Sequence, residues 1–295
     1  MTADTPAGAP AGPDAAGGAR WTRELEIARE IQLGFLPGVL PAPPGWEVAA
    51  AFEPARLVSG DFYDAFPMAD GMRLGVVVGD VCGKGVGAAL FMALFRSFIR
   101  AVATRAMRSG QTMIGDPDSP LFAGLGLAND YIATAHAASG VFATAFAGSV
   151  DVFSGAVRYV NAGHDPAPVI VASDGSVRAR LDPTGPALGM EAGARLAVGT
   201  ARLHPGETLL IATDGVTEAR DPAGEFFGPE RLDAQCAGEP VEAGPLAARI
   251  AAAVRVFAGG AEPADDVTLL AVTRDAGGTL ASLKAARAHA GDRAR

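Results

Sequence analysis

Cysteine and histidine are both scarce in this chain. Only Cys82 and Cys236 occur among its 295 residues, which excludes a disulfide framework and a cysteine-rich zinc site and fits a reducing cytosol. The four histidines are scattered and form no HExxH or similar pair, so a histidine-based zinc centre is not expected. Basic residues are outnumbered: 24 Lys and Arg stand against 33 Asp and Glu, a formal net charge of −9. No nucleic-acid partner is expected, because phosphate contacts need a basic face. No apolar run is read as reaching the roughly 20 residues of a membrane span. The N-terminus lacks the basic-then-apolar pattern of a signal peptide. The expectation is a soluble, cytoplasmic protein.

What the chain does have is apolar bulk. Hydrophobic residues make up 49% and charged residues 19%, and a domain of this length buries roughly 70–75% of its extended-chain surface without disulfide support. Residues 1–20 are almost entirely Ala, Gly, Pro and Thr with a few charges, and are expected as a disordered leader. Over 21–36, Leu25, Ile27, Ala28, Ile31, Gln32 and Phe35 interleave with Glu24, Glu26, Arg29 and Glu30. That spacing predicts an amphipathic helix, ended by Pro37 and a Pro-rich linker to residue 45. Two roles stay open for it: packing on its own domain, or serving as a dimer or signal-input helix.

From Trp46 on, short apolar runs bounded by turn residues predict strands at 48–52, 73–79, 141–150, 157–161, 167–172, 176–181, 202–204, 208–213 and 266–273. Helices are predicted at 86–102, 121–138, 228–236 and 244–257, a loop at 103–120, and a basic Ala-rich tail at 276–295. Strands and helices do not alternate as in a doubly wound parallel sheet. The order suits an α+β layered fold, with antiparallel sheets covered by helices.

Four aspartates sit at the ends of these apolar runs: Gly60-Asp61, Gly79-Asp80-Val81, Asp214-Gly215 and Asp265-Asp266. A carboxylate near a core must be paired, protonated or bound to a cation. Several converging carboxylates repel one another without a counter-charge. Oxygen-only donors suit Mg²⁺ or Mn²⁺, so the pattern points to a hydrolase with a dinuclear metal site. Taken singly each acid has a plainer reading: Asp80 as a helix cap, Asp214 in a strand-end turn, Asp265-Asp266 as a solvated pair.

Other phosphate chemistries fail on spacing. In Gly79-Asp-Val-Cys-Gly-Lys84-Gly85, three residues rather than four separate Gly79 from Gly83, and Gly85 stands where a P-loop needs Ser or Thr. Gly83-x-Gly85-x-Gly87 lacks dinucleotide-loop spacing. The residue six after Cys82 is Ala88 rather than the Arg of a cysteine phosphatase, so Cys82 reads as a packing residue. The segment Thr213-Asp214-Gly215-Val-Thr217 lacks the DxDGT pattern of haloacid-dehalogenase phosphatases.

The stretches Glu26-Ile-Ala-Arg-Glu-Ile-Gln32, Leu36-Pro37, Pro54-Ala-Arg56, Ser59-Gly-Asp-Phe-Tyr-Asp64 and Gly79-Asp-Val-Cys-Gly-Lys-Gly-Val86 come first in a longer ordered set. Ala88-Ala-Leu-Phe-Met92, Tyr159-Val-Asn-Ala-Gly-His164, Gly185-Pro-Ala-Leu-Gly189, Thr213-Asp-Gly-Val-Thr-Glu218 and Asp265-Asp-Val-Thr268 complete it. Together, over residues 22–274, the set resembles the metal-dependent PPM/PP2C-type protein phosphatases of the bacterial SpoIIE/RsbU-like branch.

The resemblance implies a four-layer α-β-β-α sandwich over residues 46–275. It also implies two Mn²⁺ or Mg²⁺ ions, with a third possible. Asp80 would be the bridging ligand beside the Val81 carbonyl, with Asp214 and Asp265 as further ligands and Asp61 holding a metal directly or through water. Arg56 falls where a phosphate-gripping arginine is expected. Cys82 stands where eukaryotic-type members carry a histidine able to act as general acid, so the leaving-group proton must come from elsewhere, with water the expected source. His164 is expected to be a loop histidine with a structural hydrogen bond. The implied activity is hydrolysis of phosphoserine or phosphothreonine. The implied substrate is a phosphorylated STAS-type anti-sigma-factor antagonist in partner-switching control of transcription. Regulation would come through the 21–36 helix, a regulatory protein or homodimerisation.

Overall fold

The computed structural model describes residues 15–108, 119–237 and 241–277. Most of the expected leader, the centre of the 103–120 loop and most of the C-terminal tail lie outside the described residues.

The chain runs α1 (Ala15–Phe35), β1 (Trp46–Glu53), β2 (Asp61–Met68), β3 (Arg73–Val81), α2 (Val86–Arg108), α3 (Ser119–Ala135), β4 (Ala143–Asp151) and β5 (Ala156–Ala162). It continues with β6 (Val169–Val171), β7 (Val177–Arg180), β8 (Gly199–Arg202), β9 (Thr208–Ala212), α4 (Asp214–Thr217), α5 (Gly228–Cys236), α6 (Ala243–Ala258) and β10 (Val267–Arg274). The strands form two five-stranded antiparallel sheets, ordered β1-β10-β9-β6-β7 and β2-β3-β4-β5-β8.

Three apolar layers hold the sheets and helices together. Alternate residues of a strand face opposite sides, and here both sides are dry. On β3, Val76 and Val78 point between the sheets while Val77 points at the helices. On β10, Leu270 and Val272 point between the sheets while Leu269 and Ala271 point outward. Met92, Phe95 and Ile99 of α2, with Leu121 and Leu125 of α3, cover one sheet. Leu232 of α5 and Leu246 and Ile250 of α6 cover the other. This is the four-layer α-β-β-α sandwich that the family resemblance implies. Strands buried on both faces read as unbroken apolar runs, which is why most were visible in the sequence.

The main departure is β2. Asp61 is expected in a turn and residues 60–64 in an irregular stretch pinned to the core by Phe62 and Tyr63, yet residues 61–64 open a strand paired residue for residue with β3, from Asp61↔Asp80 to Met68↔Arg73. Period-two geometry explains how the acids are tolerated. Asp64 shares the helix-facing side with Phe62 and Phe66 and meets Arg96 (3.0 Å) and Arg100 (2.5 Å) of α2. Asp61 points between the sheets. Pro67 is accommodated because β2 is an edge strand. The strand expected at 202–204 lies earlier, at Gly199–Arg202.

Helix α2 corrects a second expectation. Val86–Thr104 has the length and a mean hydropathy of 1.6 that would suit a membrane span. Met92, Phe95 and Ile99 pack on the sheet and Arg96 and Arg100 turn to buried Asp64, while Val86 and Leu90 are exposed, so the helix covers the sheet with one face. Helix α1 begins at Ala15, earlier than the expected 21. Leu25, Ala28 and Gln32 face the domain, while Trp21, Ile27, Ile31 and Phe35 are exposed.

Candidate active site

Four strand ends meet at one end of the sandwich. In one sheet β2 starts at Asp61, directly opposite Asp80 near the end of β3. In the other, β9 ends just before Thr213-Asp214, and β10 starts just after Asp265-Asp266. The two sheets are stapled there by one carboxylate oxygen. Asp61 Oδ2 accepts hydrogen bonds from Thr213 Oγ1 (2.8 Å) and Thr268 Oγ1 (2.5 Å). The Thr268 N–H in turn donates to Thr213 Oγ1 at 3.0 Å.

Two glycines let the backbones close up at this point. A Cβ on Gly60 would lie 2.7 Å from the Val81 carbonyl oxygen and 3.4 Å from Asp80 Oδ1. A Cβ on Gly215 would lie 2.0 Å from the Asp266 carbonyl oxygen. Neither position leaves room for a side chain without moving backbone.

The acids raise one another's proton affinity. Burial, then the Asp80 charge, pushes Asp61 well above the usual carboxylate range, despite its two hydroxyl donors. Burial, with Asp265 and Asp266 nearby, lifts Asp80 to about 6. Burial, with Asp80, Glu218 and Asp265 nearby, lifts Asp214 to about 7. Positive charge nearby comes from Lys84, which lies 2.8 Å from Asp265 Oδ2 and also donates to the Ala264 carbonyl at 2.6 Å.

Asp266, next in sequence to Asp265, does a different job. It is 8% exposed. Its Oδ1 accepts the Ala55 N–H (2.7 Å) and its Oδ2 the Gly60 N–H (3.0 Å). It therefore fastens both ends of the loop that carries Arg56. Arg56 is exposed and lines a shallow cleft with Val58, Lys84, Gly85, Asp265 and Asp266.

His164 is buried behind the acids. Its Nε2 donates to the Ala212 carbonyl at the end of β9 (3.0 Å), and its backbone N–H donates to Asn161 Oδ1 (2.7 Å). Burial lowers its pKa to about 4, so it is neutral at ordinary pH. The expected structural hydrogen bond is thus present, aimed at the strand that delivers Asp214.

Asp61, Asp80, Val81, Asp214, Asp265 and Arg56 are all brought to this end of the molecule. Asp266, Thr213, Thr268 and Lys84 were not singled out from the sequence as contributors. The threonines belonged to quoted motifs, but nothing in their spacing signals that both hydroxyls converge on one carboxylate from another sheet. Among the described residues, no three acid, cysteine or histidine side chains are already drawn into a coordination shell. The fit to cations rests on chemistry. The donors are oxygens, and buried acids that would otherwise need protons to coexist would ionise beside a divalent cation. A backbone carbonyl is held close by a glycine cradle. Hard, oxygen-seeking ions suit that set.

Comparison with known proteins bears on the fold and the family. The family profile for Stage II sporulation protein E (SpoIIE) matches residues 70–275. Protein IcfG of Synechocystis is 46% identical over 224 residues, 71% of this chain and 35% of IcfG. Phosphoserine phosphatase RsbU of Bacillus subtilis is 24% identical over 207 residues, 70% of this chain and 57% of RsbU. The chain therefore spans about a third to somewhat over half the length of these curated relatives. Among solved structures, the SiaA-PP2C domain of Pseudomonas aeruginosa superposes with a TM-score of 0.71 at 24% identity, covering 89% of this chain and all of that one. The catalytic domain of serine threonine protein phosphatase PstP, solved with two manganese ions, superposes with a TM-score of 0.56 at 14% identity, covering 77% of this chain and 97% of that one. The two-sheet sandwich is the fold of the PP2C domains it superposes on, and the profile match over residues 70–275 places this chain in the SpoIIE family.

Proposed function

We propose that this chain is a protein-serine/threonine phosphatase that uses two Mn²⁺ or Mg²⁺ ions, with a third possible. Asp80, Asp214 and Asp265 are the ligands in this reading, with the Val81 carbonyl beside Asp80. Asp61 contributes through its second oxygen or through water. The observation that carries the reading is the convergence of four strand-end acids, of which Asp61, Asp80 and Asp214 are pushed up by burial and by neighbouring carboxylates, leaving a site suited to cations. Bound divalent ions would supply a nucleophilic water of lowered pKa and neutralise charge on the phosphoryl oxygens.

The protein's own groups do the rest. Arg56, held at the cleft rim by the Asp266 anchor, grips the phosphate of the substrate through its guanidinium fork. Lys84 adds positive charge beside it. Cys82 accepts the Phe142 N–H at 3.2 Å and packs as a structural thiol; water receives the task of protonating the leaving group. Phosphate-monoester hydrolysis needs acceleration of up to about 10²¹-fold, whereas one general acid or base supplies roughly 10²–10⁴-fold. Charge stabilisation must therefore dominate.

The substrate we propose is a phosphorylated STAS-type anti-sigma-factor antagonist, by analogy with the SpoIIE/RsbU-like branch, in a cytoplasmic partner-switching circuit. The test is phosphate release from such a protein in EDTA, Mg²⁺ or Mn²⁺, with Asp80→Asn and Asp214→Asn as controls. Metal-dependent multiple turnover, abolished in both variants, is expected. Full turnover in both variants would refute the metal assignment. Release from generic phosphopeptides at equal rates would make the enzyme a broad-specificity phosphatase. Tight single-turnover binding would make it a phosphatase-fold binding module.

A further inference from the structure

We infer that Gln32 is a positioning residue: from helix α1 it clamps Ser59 and so holds the loop that presents Arg56 to the cleft and leads into buried Asp61. The inference rests on the phosphatase reading for what the loop does, and on geometry alone for the clamp. Gln32 Nε2 donates to the Ser59 carbonyl at 2.7 Å, and Gln32 Oε1 accepts the Ser59 N–H at 2.9 Å. Both groups of one residue are satisfied by one side chain 27 positions away. That is how a neighbouring strand would treat them, and here the stretch leads into β2, an edge strand.

The residue type supports a specific role. Gln32 is 5% exposed and lies on the face of α1 that packs against the domain, near Leu25, Ala28 and Leu36. An apolar residue would suffice for packing. A buried amide costs stability unless its donor and acceptor are both matched, and here both are matched on the same peptide segment.

The clamp then reaches the site in one further step. Ser59 Oγ accepts the Asp61 N–H at 3.0 Å. Residues 55–61 are thus fastened at three places: Ala55 and Gly60 by Asp266, Ser59 by Gln32, and the Asp61 side chain by Thr213 and Thr268. Arg56 lies between the first two anchors. Of the three fastenings, only Gln32 comes from outside the sandwich, so this side chain links α1 to the loop by direct hydrogen bonds.

The experiment uses the full chain and three variants. Gln32→Leu removes both bonds at similar size. Gln32→Glu keeps the acceptor for the Ser59 N–H and loses the donor. Leu25→Ala weakens α1 packing and leaves the clamp. Amide hydrogen exchange at Ser59–Asp61, Mn²⁺ affinity by calorimetry and thermal melting are measured for each. Gln32→Leu is expected to speed exchange at Ser59 and Asp61 and to weaken Mn²⁺ binding by about 10- to 100-fold, the range for residues supporting metal ligands. Gln32→Glu should fall between it and wild type, and decides the matter if the leucine variant does not fold. Leu25→Ala should lower the melting temperature without either effect. Slow exchange and wild-type Mn²⁺ affinity in the glutamine variants, with melting lowered as in Leu25→Ala, would overturn the inference. If the wild type binds no Mn²⁺, the metal reading fails, and exchange at Ser59–Asp61 alone still decides the clamp.

Discussion

Replacing Asp266 by alanine would leave two backbone N–H groups without acceptors, those of Ala55 and Gly60, in a region where the carboxylate is only 8% exposed. Hydrogen bonds to a charged group contribute about 1.5–3 kcal/mol each, so roughly 3–6 kcal/mol is at stake. An opposing effect comes from charge. The Asp266 carboxylate helps push up the proton affinities of Asp61 and Asp80, and its removal relieves that repulsion. A net loss of about 2–4 kcal/mol follows. Asp266→Asn keeps one acceptor oxygen and should lose about half as much. Urea unfolding monitored by fluorescence reads the loss as a lower midpoint at unchanged slope.

The functional side of the same variant separates Asp266 from its neighbour Asp265. Losing the anchor frees the Arg56 loop, so turnover should fall while Mn²⁺ affinity falls much less than in Asp265→Asn. An Asp266→Ala protein as stable as wild type would refute the anchoring role. One that loses Mn²⁺ binding as completely as Asp265→Asn, with stability intact, would make Asp266 a ligand alongside Asp265 rather than an anchor.

His164 gives a pH prediction. Its folded pKa of about 4 lies below the ordinary histidine value of 6.5, so below pH 6.5 the unfolded chain takes up a proton that the folded one refuses. Its contribution is intact above about pH 6.5 and is lost as pH falls, by about 2 kcal/mol at pH 5. Denaturant midpoints of His164→Asn measured from pH 7 to pH 5 should lack that share of the slope, and parallel profiles would count against it. Asp64→Ala should cost about 3 kcal/mol in urea unfolding, because Arg96, with a side chain only 13% exposed, loses its carboxylate. Stability within 1 kcal/mol of wild type would mean the arginines had found water instead, on the scale of exposed pairs.

The layers of the sandwich were legible because their strands are apolar on both faces. Val76–Val78 and Leu269–Val272 read as strands for the same reason that they end up between a sheet and a helix layer. The acids of the site were legible too, since Asp80 and Asp214 interrupt such runs beside glycine. What the sequence hid was pairing. Nothing local says that Asp61 and Asp64 belong to a strand, because the partners that make them acceptable there are distant: Thr213 and Thr268 across the sheets for one, Arg96 and Arg100 on a helix for the other. Gln32 was read as one position in an amphipathic stripe. Its departure from apolar character on the docked face was visible, but its partner Ser59 was not.

The acids at the site divide by what their oxygens already hold. Both oxygens of Asp266 are taken by backbone donors, and Asp61 Oδ2 is taken by two hydroxyls. Asp61→Asn should therefore fold, because a carboxamide oxygen can accept both threonine hydroxyls as the carboxylate does. It should also be no less stable than the metal-free wild type. Burial and Asp80 push the Asp61 proton affinity far up, which means that the folded state already penalises its charge, and asparagine carries none. The same change should weaken Mn²⁺ binding, since a negative donor is lost from the cluster. A melting temperature equal to or above that of wild type in EDTA, together with reduced Mn²⁺ affinity, is the expected pair of results. Asp61→Ala, which leaves the Thr268 hydroxyl without an acceptor and Thr213 with only the Asp266 carbonyl at 3.4 Å, should instead cost about 2–4 kcal/mol. If Asp61→Asn proves as unstable as Asp61→Ala, the carboxylate charge is needed for the fold itself, and the division between stapling oxygens and metal-facing oxygens is wrong.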